Sequence, residues 1–121
     1  MLNCLFVGIG GFIGAGLRYL IGLVSIKNPA GFPVNTFLIN AFGALAIGII
    51  AALAAKNDNL DPRLILLIKV GVCGGFTTFS TFSLETAQLL KSGSTAIAIL
   101  YAVCSVVVCV AAAFLPQAVI K

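Results

Sequence analysis

The 121-residue sequence has no histidine and only three acidic residues, and charged residues make up 8% of the chain. Without histidine, no imidazole is present for proton transfer or metal binding. The four cysteines form no C-x-x-C pair and lie in apolar runs, so we interpret them as small buried hydrophobic side chains rather than a disulfide or metal site. No nucleophile has a candidate base beside it, and these absences together argue against an enzyme.

The residues that are present are mostly apolar. Hydrophobic residues make up 61% of the chain, and its mean hydropathy is +1.21. At about 20 residues per membrane span, four apolar runs account for nearly the whole sequence, and we predict one all-α integral membrane domain over residues 1–121. The interior of a four-helix bundle is largely filled by its own side chains, so we expect an oligomer. The predicted transmembrane helices cover approximately 2–26, 33–55, 64–90 and 95–115.

The net charge of +4 comes from seven scattered basic residues that form no patch, which argues against a nucleic-acid partner. If four spans are assumed, one side of the membrane receives four of these residues and the other side three. Such a small difference barely determines an orientation. Insertion in both orientations, which would allow an antiparallel dimer, is therefore compatible with the sequence. The first side has Lys56, Arg63, Lys69 and Lys121; the second has Arg18, Lys27 and Lys91.

One stretch, Gly74 to Ser83, is unusually polar for its place inside an apolar run. It contains two glycines, three phenylalanines and five hydroxyl side chains. Irregular backbone at membrane depth is tolerated only where protein buries it or water reaches it. We therefore predict that the third helix is broken mid-membrane, with Gly71, Gly74 and Gly75 marking the break. Free carbonyl groups at such a break can bind a cation, and free N–H groups favour an anion.

Small residues are spaced for close helix contact in two other spans. Gly10-x-x-x-Gly14 lies in the first span and Ala44-x-x-x-Gly48 in the second. Residues four apart lie on the same helix face, and small side chains there let two membrane helices approach closely. We expect both pairs to mark helix–helix packing.

Isolated polar residues in the spans allow two interpretations each. Arg18 must reach the interface, pair or face water, because an unpaired charge at membrane depth is costly. Asn40 either bridges two helices or offers an N–H donor to a cavity. Glu85 is either a functional carboxylate or a solvated one near the interface. On the last helix, three residues recur at intervals of four: Tyr101, Ser105 and Cys109. This stripe is either part of the helix packing or a polar face of that helix.

Three motifs together closely resemble the Fluc family of fluoride channels, also called CrcB. They are Gly10-Gly11-Phe12-Ile13-Gly14-Ala15-Gly16-Leu17-Arg18-Tyr19, Val34-Asn35-Thr36 with Asn40-Ala41-Phe42-Gly43, and the stretch from Gly74 to Ser83 with Glu85. The third motif is highly specific, and the resemblance covers essentially the whole chain. It implies a passive fluoride exporter in a bacterial or archaeal plasma membrane. It also implies an antiparallel, dual-topology homodimer with two pores and a structural sodium ion at the dimer interface.

The resemblance also implies roles for individual residues. Asn40 would hydrogen-bond fluoride, and Phe79 and Phe82 would line the pore. The backbone carbonyls of Gly74 and Thr77 would hold the sodium ion. Cys109 lies where the family pattern has a hydroxyl. Arg18 would belong to the vestibule or support it, and the remaining pathway residues would be Thr81, Glu85, Tyr101 and Ser105.

A small four-span proton-coupled multidrug-type antiporter is the alternative, because such proteins are also dimeric and nearly unbiased in charge. Their proton coupling normally requires a carboxylate within the first span. Here that span has none, and Glu85 is the one carboxylate that the sequence places inside a predicted span. The sequence therefore favours the channel.

Overall fold

Four long helices, each apolar and long enough to cross a membrane, make up the described part of the chain. The computed structural model describes residues 1–24, 26 and 28–120. The predicted all-α, four-span architecture is confirmed at this level. The helices are α1 (Leu2–Gly22), α2 (Val34–Lys56), a composite third span over Pro62–Lys91, and α6 (Thr95–Val119).

Two helix ends differ from the predicted boundaries. Helix α1 ends at Gly22, and the N–H groups of Leu23 and Val24 bond back to its last turn. The predicted continuation to residue 26 includes Ser25, which lies outside the described residues, as do Lys27 and Lys121 of the charge comparison. Helix α6 continues past Pro116 to Val119. A proline removes one backbone donor, but a continuing helix still satisfies the neighbouring groups.

The third span consists of four helical pieces. Asp61 caps its start by accepting a hydrogen bond from the Arg63 N–H at 3.0 Å, and Pro62 occupies the first turn. The pieces are α3 (Pro62–Ile65), a π-helical segment (Leu66–Cys73), α4 (Gly74–Phe76) and α5 (Phe79–Lys91). Thr77 and Thr78, between α4 and α5, have extended backbone.

We call Thr77 and Thr78 the interruption of the third span. Contrary to our expectation, the glycines do not themselves form it. Gly74 is helical, and the extended residues are the two threonines that follow α4. The Thr78 hydroxyl accepts a hydrogen bond from the Thr81 N–H at 3.1 Å and so caps the start of α5. Gly75 has a packing role instead, because a Cβ atom there would lie 2.7 Å from the Gly11 carbonyl oxygen.

Close glycine contacts join α1 to the first half of the third span. A Cβ atom at Gly10 would collide with the Leu67 carbonyl oxygen, and one at Gly14 with the Val72 carbonyl oxygen. On the other side of the bundle, a Cβ atom at Gly48 would lie 2.5 Å from the Ala113 carbonyl oxygen of α6. The predicted contact at Gly10 and Gly14 is therefore present, and of the second pair Gly48 makes the close contact while Ala44 lines the cavity described below. Helix α1 packs on the third span and α2 on α6, and the cavity described below lies between these pairs.

We expect Gly14→Ala to destabilise the protein by about 1–3 kcal/mol, because its methyl group would enter backbone of the third span. Gly8→Ala is the matched control on the same helix, since no atom lies within 4 Å of a Cβ there, and it should raise stability by about 0.5–1 kcal/mol because alanine favours a helix over glycine. Thermal unfolding of the purified variants in detergent measures both. Equal unfolding temperatures for the two variants would contradict close packing at Gly14.

Candidate functional site

A cavity of about 350 Å³ lies beside the extended residues of the third span. Helix α2, both halves of the third span and α6 contribute to its wall. Five of the residues proposed from the sequence line it: Asn40, Thr77, Phe79, Phe82 and Ser105. The other lining residues are Gly43, Ala44, Ile47, Cys73, Thr78, Val106, Cys109 and Val110.

Asn40 holds the interruption in place through two hydrogen bonds to one residue. Its Oδ1 accepts from the Thr78 N–H at 2.8 Å, and its Nδ2 donates to the Thr78 carbonyl oxygen at 3.0 Å. This pair of bonds determines which way the amide points. The amide has two N–H donors, so one remains for a ligand at the cavity wall. Asn40 therefore joins α2 to the third span, and it also lines the cavity.

The hydroxyl groups after the interruption mostly bond to their own helix. Ser83 donates to the Phe79 carbonyl oxygen at 2.9 Å, and Thr86 donates to the Phe82 carbonyl oxygen at 2.8 Å. The Thr78 hydroxyl donates to the Thr81 hydroxyl at 3.1 Å, and Thr81 does not line the cavity. Of the five hydroxyl residues between Gly74 and Ser83, only Thr77 and Thr78 line it.

Three aromatic rings lead away from the cavity toward α6. Phe79 and Phe82 have ring centroids 5.5 Å apart with planes inclined by 45°, and Phe82 and Tyr101 are 5.0 Å apart at 56°. The Phe79 side chain is 78% exposed in the single chain, whereas Tyr101 is fully buried. Inclined rings present electropositive edges as well as faces to their surroundings. The cavity is therefore connected by ring contacts to the residues around Tyr101.

Glu85 is paired rather than simply solvated. Its Oε1 accepts from the Tyr101 hydroxyl at 2.8 Å, and its Oε2 accepts from the Thr36 hydroxyl at 3.0 Å. We call Thr36, Glu85 and Tyr101 the carboxylate cluster. Sequence reasoning assigned no role to Thr36, although it precedes Asn40 by four residues and so lies on the same face of α2. That spacing was the signal that could have identified it.

The stripe on α6 faces the site, and it includes an unpaired hydroxyl. Tyr101 belongs to the carboxylate cluster, while Ser105 and Cys109 line the cavity. The Ser105 Oγ atom is buried and has no hydrogen-bond partner among the described residues. Buried polar groups normally have partners, so this hydroxyl is available to something that enters the cavity. Cys109 lines the same wall with a thiol, which is a weaker donor.

Some carbonyl groups near the interruption accept hydrogen bonds and others do not. Arg18 Nε donates to the Gly75 carbonyl oxygen at 3.2 Å, which holds the guanidinium group next to the interruption. The Cys73 carbonyl oxygen accepts from both the N–H and the hydroxyl of Thr77. Among the described residues, no donor reaches the carbonyl oxygens of Gly74 and Thr77. Uncharged oxygen atoms of this kind are ligands that hard cations accept.

Comparison with known proteins identifies relatives over nearly the whole chain. The family profile described as "CrcB-like protein, Camphor Resistance (CrcB)" matches residues 5–117. Three similar proteins are each named fluoride-specific ion channel FluC. The one from Hyphomonas neptunium is 47% identical over 117 residues, which is 95% of this chain and 92% of the relative. The one from Ruminiclostridium cellulolyticum is 39% identical over 122 residues, covering 100% and 94%. The one from Chlorobaculum tepidum is 46% identical over 101 residues, covering 84% and 80%.

We expect Asn40→Leu to speed hydrogen exchange at the Thr78 amide and to cost about 1–3 kcal/mol of stability, because that amide loses its acceptor. Asn40→Asp is the matched control, since it keeps the acceptor for the Thr78 N–H but removes the donor to the Thr78 carbonyl oxygen. It should destabilise the protein while leaving that amide protected. Amide exchange by NMR or mass spectrometry distinguishes the two, and slow exchange at Thr78 in both variants would contradict the described bonding.

Proposed function

This chain belongs to the CrcB-like family, and from that premise we propose that it is a fluoride-selective channel through which fluoride leaves the cell passively. It is not an enzyme. The three relatives described above, each named fluoride-specific ion channel, align over 80% to 94% of their own lengths. The observation that supports the proposal most is the cavity at the interruption, where donors and ring edges meet without a fixed full charge on the wall.

Fluoride is small and strongly hydrated, so it can enter an apolar region only where donors replace its lost water. The cavity supplies the second Asn40 N–H, the unpaired Ser105 hydroxyl and the ring edges of Phe79 and Phe82. Each of these is a weak site on its own. Several weak sites in series favour passage, because an ion must also leave each one. A free guanidinium or ammonium group would bind the anion too tightly, and Arg18 is instead held on the Gly75 carbonyl oxygen.

Beyond the cavity, the carboxylate cluster would form the next part of the pathway. The Thr36 and Tyr101 hydroxyls point at Glu85, which holds two donors in defined positions. We propose that each hydroxyl, whose one O–H donor bonds Glu85, rotates in turn to donate to fluoride, while Thr81 borders the same route. Glu85 would act by orienting the two donors, because its own charge repels an anion.

A second copy of the chain would complete the site. The Phe79 ring borders the cavity yet is 78% exposed in one chain, and a partner would cover it. We propose an antiparallel, dual-topology homodimer with two pores, each drawing on both subunits, in a bacterial or archaeal plasma membrane. The near balance of basic residues supports insertion in both orientations. In this arrangement, the interruption of the third helix lies mid-membrane.

The free carbonyl oxygens of Gly74 and Thr77 fit a structural sodium ion. Two such oxygens from each subunit would bring four uncharged ligands to one hard cation on the dimer axis. The ion would offset the mutual repulsion of these carbonyl dipoles and join the subunits. Arg18, bound to the intervening Gly75 carbonyl oxygen, would support the same turn.

The antiporter alternative has less support than the channel. Family membership favours the channel, and the paired carboxylate lies in the third span rather than the first. A proton-coupled exchanger would also need a carboxylate that alternates between a proton and a cationic substrate. Glu85 is already bonded by two hydroxyl donors.

Flux measurement on purified protein in liposomes tests the proposed function. We expect rapid fluoride efflux and at least about a hundredfold slower chloride efflux, because chloride is too large to be surrounded by these few donors. Equal passage of both anions, or of neither, would overturn the proposal. Proton-coupled uptake of a cationic dye would support the antiporter instead.

The phenylalanines provide the variants for the same assay. Phe79→Ile and Phe82→Ile should each reduce fluoride flux by about tenfold or more, because isoleucine offers no electropositive edge. Phe114→Ile, at a 63% exposed position far along α6, is the control and should conduct normally. Wild-type flux in both pore variants would remove these rings from the pathway.

Sodium titration tests the proposed structural ion independently of flux. If sodium binds only the folded dimer, each tenfold increase above its Kd should add about 1.4 kcal/mol to the free energy of unfolding. Thermal unfolding in sodium salts, compared with choline salts at equal ionic strength, measures this dependence. Identical unfolding in both series would contradict a structural sodium ion.

A further inference from the structure

The buried Tyr101 ring contacts two phenylalanines from different parts of the chain. Phe82 contacts it from the cavity side, with centroids 5.0 Å apart. Phe32 contacts it from the loop between α1 and α2, with centroids 5.3 Å apart and planes inclined by 77°. Neither the sequence motifs nor the cavity wall draws attention to Phe32. The contact nevertheless places its ring against the residue whose hydroxyl holds Glu85.

The loop backbone restricts where Phe32 can point. Asn28 closes a turn by accepting the Ala30 N–H on its side chain and the Gly31 N–H on its carbonyl oxygen. Gly31 has φ = 82°, a conformation that other residues rarely adopt. Pro33 follows Phe32, and a residue before proline is largely confined to extended backbone. The Phe32 carbonyl oxygen also accepts the Val34 N–H at 2.8 Å.

A second ring supports Phe32 from α2. Phe37 contacts it edge-on, with centroids 5.6 Å apart and planes inclined by 72°. Five rings therefore form a continuous series of contacts from the cavity to the loop end of the bundle. They are, in order, Phe79, Phe82, Tyr101, Phe32 and Phe37.

We propose that Phe32 is a positioning residue of the ion pathway, whose ring covers the loop-side end of the carboxylate cluster and holds the Tyr101 hydroxyl on Glu85. This inference rests on the proposed channel function for its effect on flux. Tyr101 is 0% exposed even though it lies only six residues after the start of α6, and the Phe32 ring contacts it from the loop side. Without that cover, water would reach the cluster and compete for the Tyr101 donor.

Tyrosine fluorescence tests the cover directly, because the chain has no tryptophan and only two tyrosines. In a Tyr19→Phe background, Tyr101 is the single emitter. Phe32→Ala should then increase quenching of its emission by aqueous acrylamide by about threefold or more, since the ring that excludes water is gone. Phe114→Ala, which removes an exposed ring from the same helix, should leave quenching unchanged. Unchanged quenching in Phe32→Ala would overturn the proposal.

Fluoride flux of the same proteins tests the positioning role. Phe32→Ala should lower efflux by about fivefold, and Phe32→Tyr, which keeps the ring, should restore it to within about twofold of wild type. Increased quenching with wild-type flux in Phe32→Ala would also overturn the proposal, because the cover would then have no effect on conduction. If the wild-type protein carries no fluoride, the proposed function fails, and the quenching result alone still decides whether Phe32 covers Tyr101.

Discussion

Backbone hydrogen bonding at Thr77 and Thr78 is the constraint on which the rest of this structure depends. A helix that stops inside an apolar bundle leaves polar groups that water cannot satisfy, each at a cost of several kcal/mol. The chain meets that cost with side chains from other helices. Asn40 of α2 bonds both polar groups of the Thr78 backbone, and Arg18 of α1 takes the Gly75 carbonyl oxygen. The interruption therefore ties three helices together.

The same hydrogen bonds satisfy some polar groups at the site and leave others available to ligands. Once Asn40, Arg18 and Thr77 have made their bonds, a few polar atoms at the site remain without partners among the described residues. They include the carbonyl oxygens of Gly74 and Thr77, one Asn40 N–H and the Ser105 hydroxyl. The oxygens suit a cation and the donors suit an anion. One interruption could thus serve two ions of opposite charge without any ionised side chain at the cavity wall.

Close packing around the interruption explains the distribution of glycine. Gly10 and Gly14 bring α1 against the backbone of the third span, and this proximity lets the Arg18 side chain, one turn later, reach the Gly75 carbonyl oxygen. A Cβ atom at Gly43 would collide with the Thr77 side chain, next to the Asn40 bonds. The small residues serve less to bend the third helix than to let other helices approach it. Our expectation that Gly71, Gly74 and Gly75 mark the break was wrong, because all three lie within helical pieces and the extended backbone begins at Thr77.

The sequence by itself determined the four apolar helices, the family and the polar stretch in the third span, because hydropathy, residue spacing and motifs are local properties of the chain. It also identified five of the thirteen residues that line the cavity. Only the tertiary structure decided that Thr77 and Thr78 are the extended residues, that Asn40 bonds Thr78, and that Thr36 and Phe32 join Glu85 and Tyr101. These pairings join residues on different helices and a loop. They depend on how helices rotate and pack against each other, which no single segment of sequence specifies.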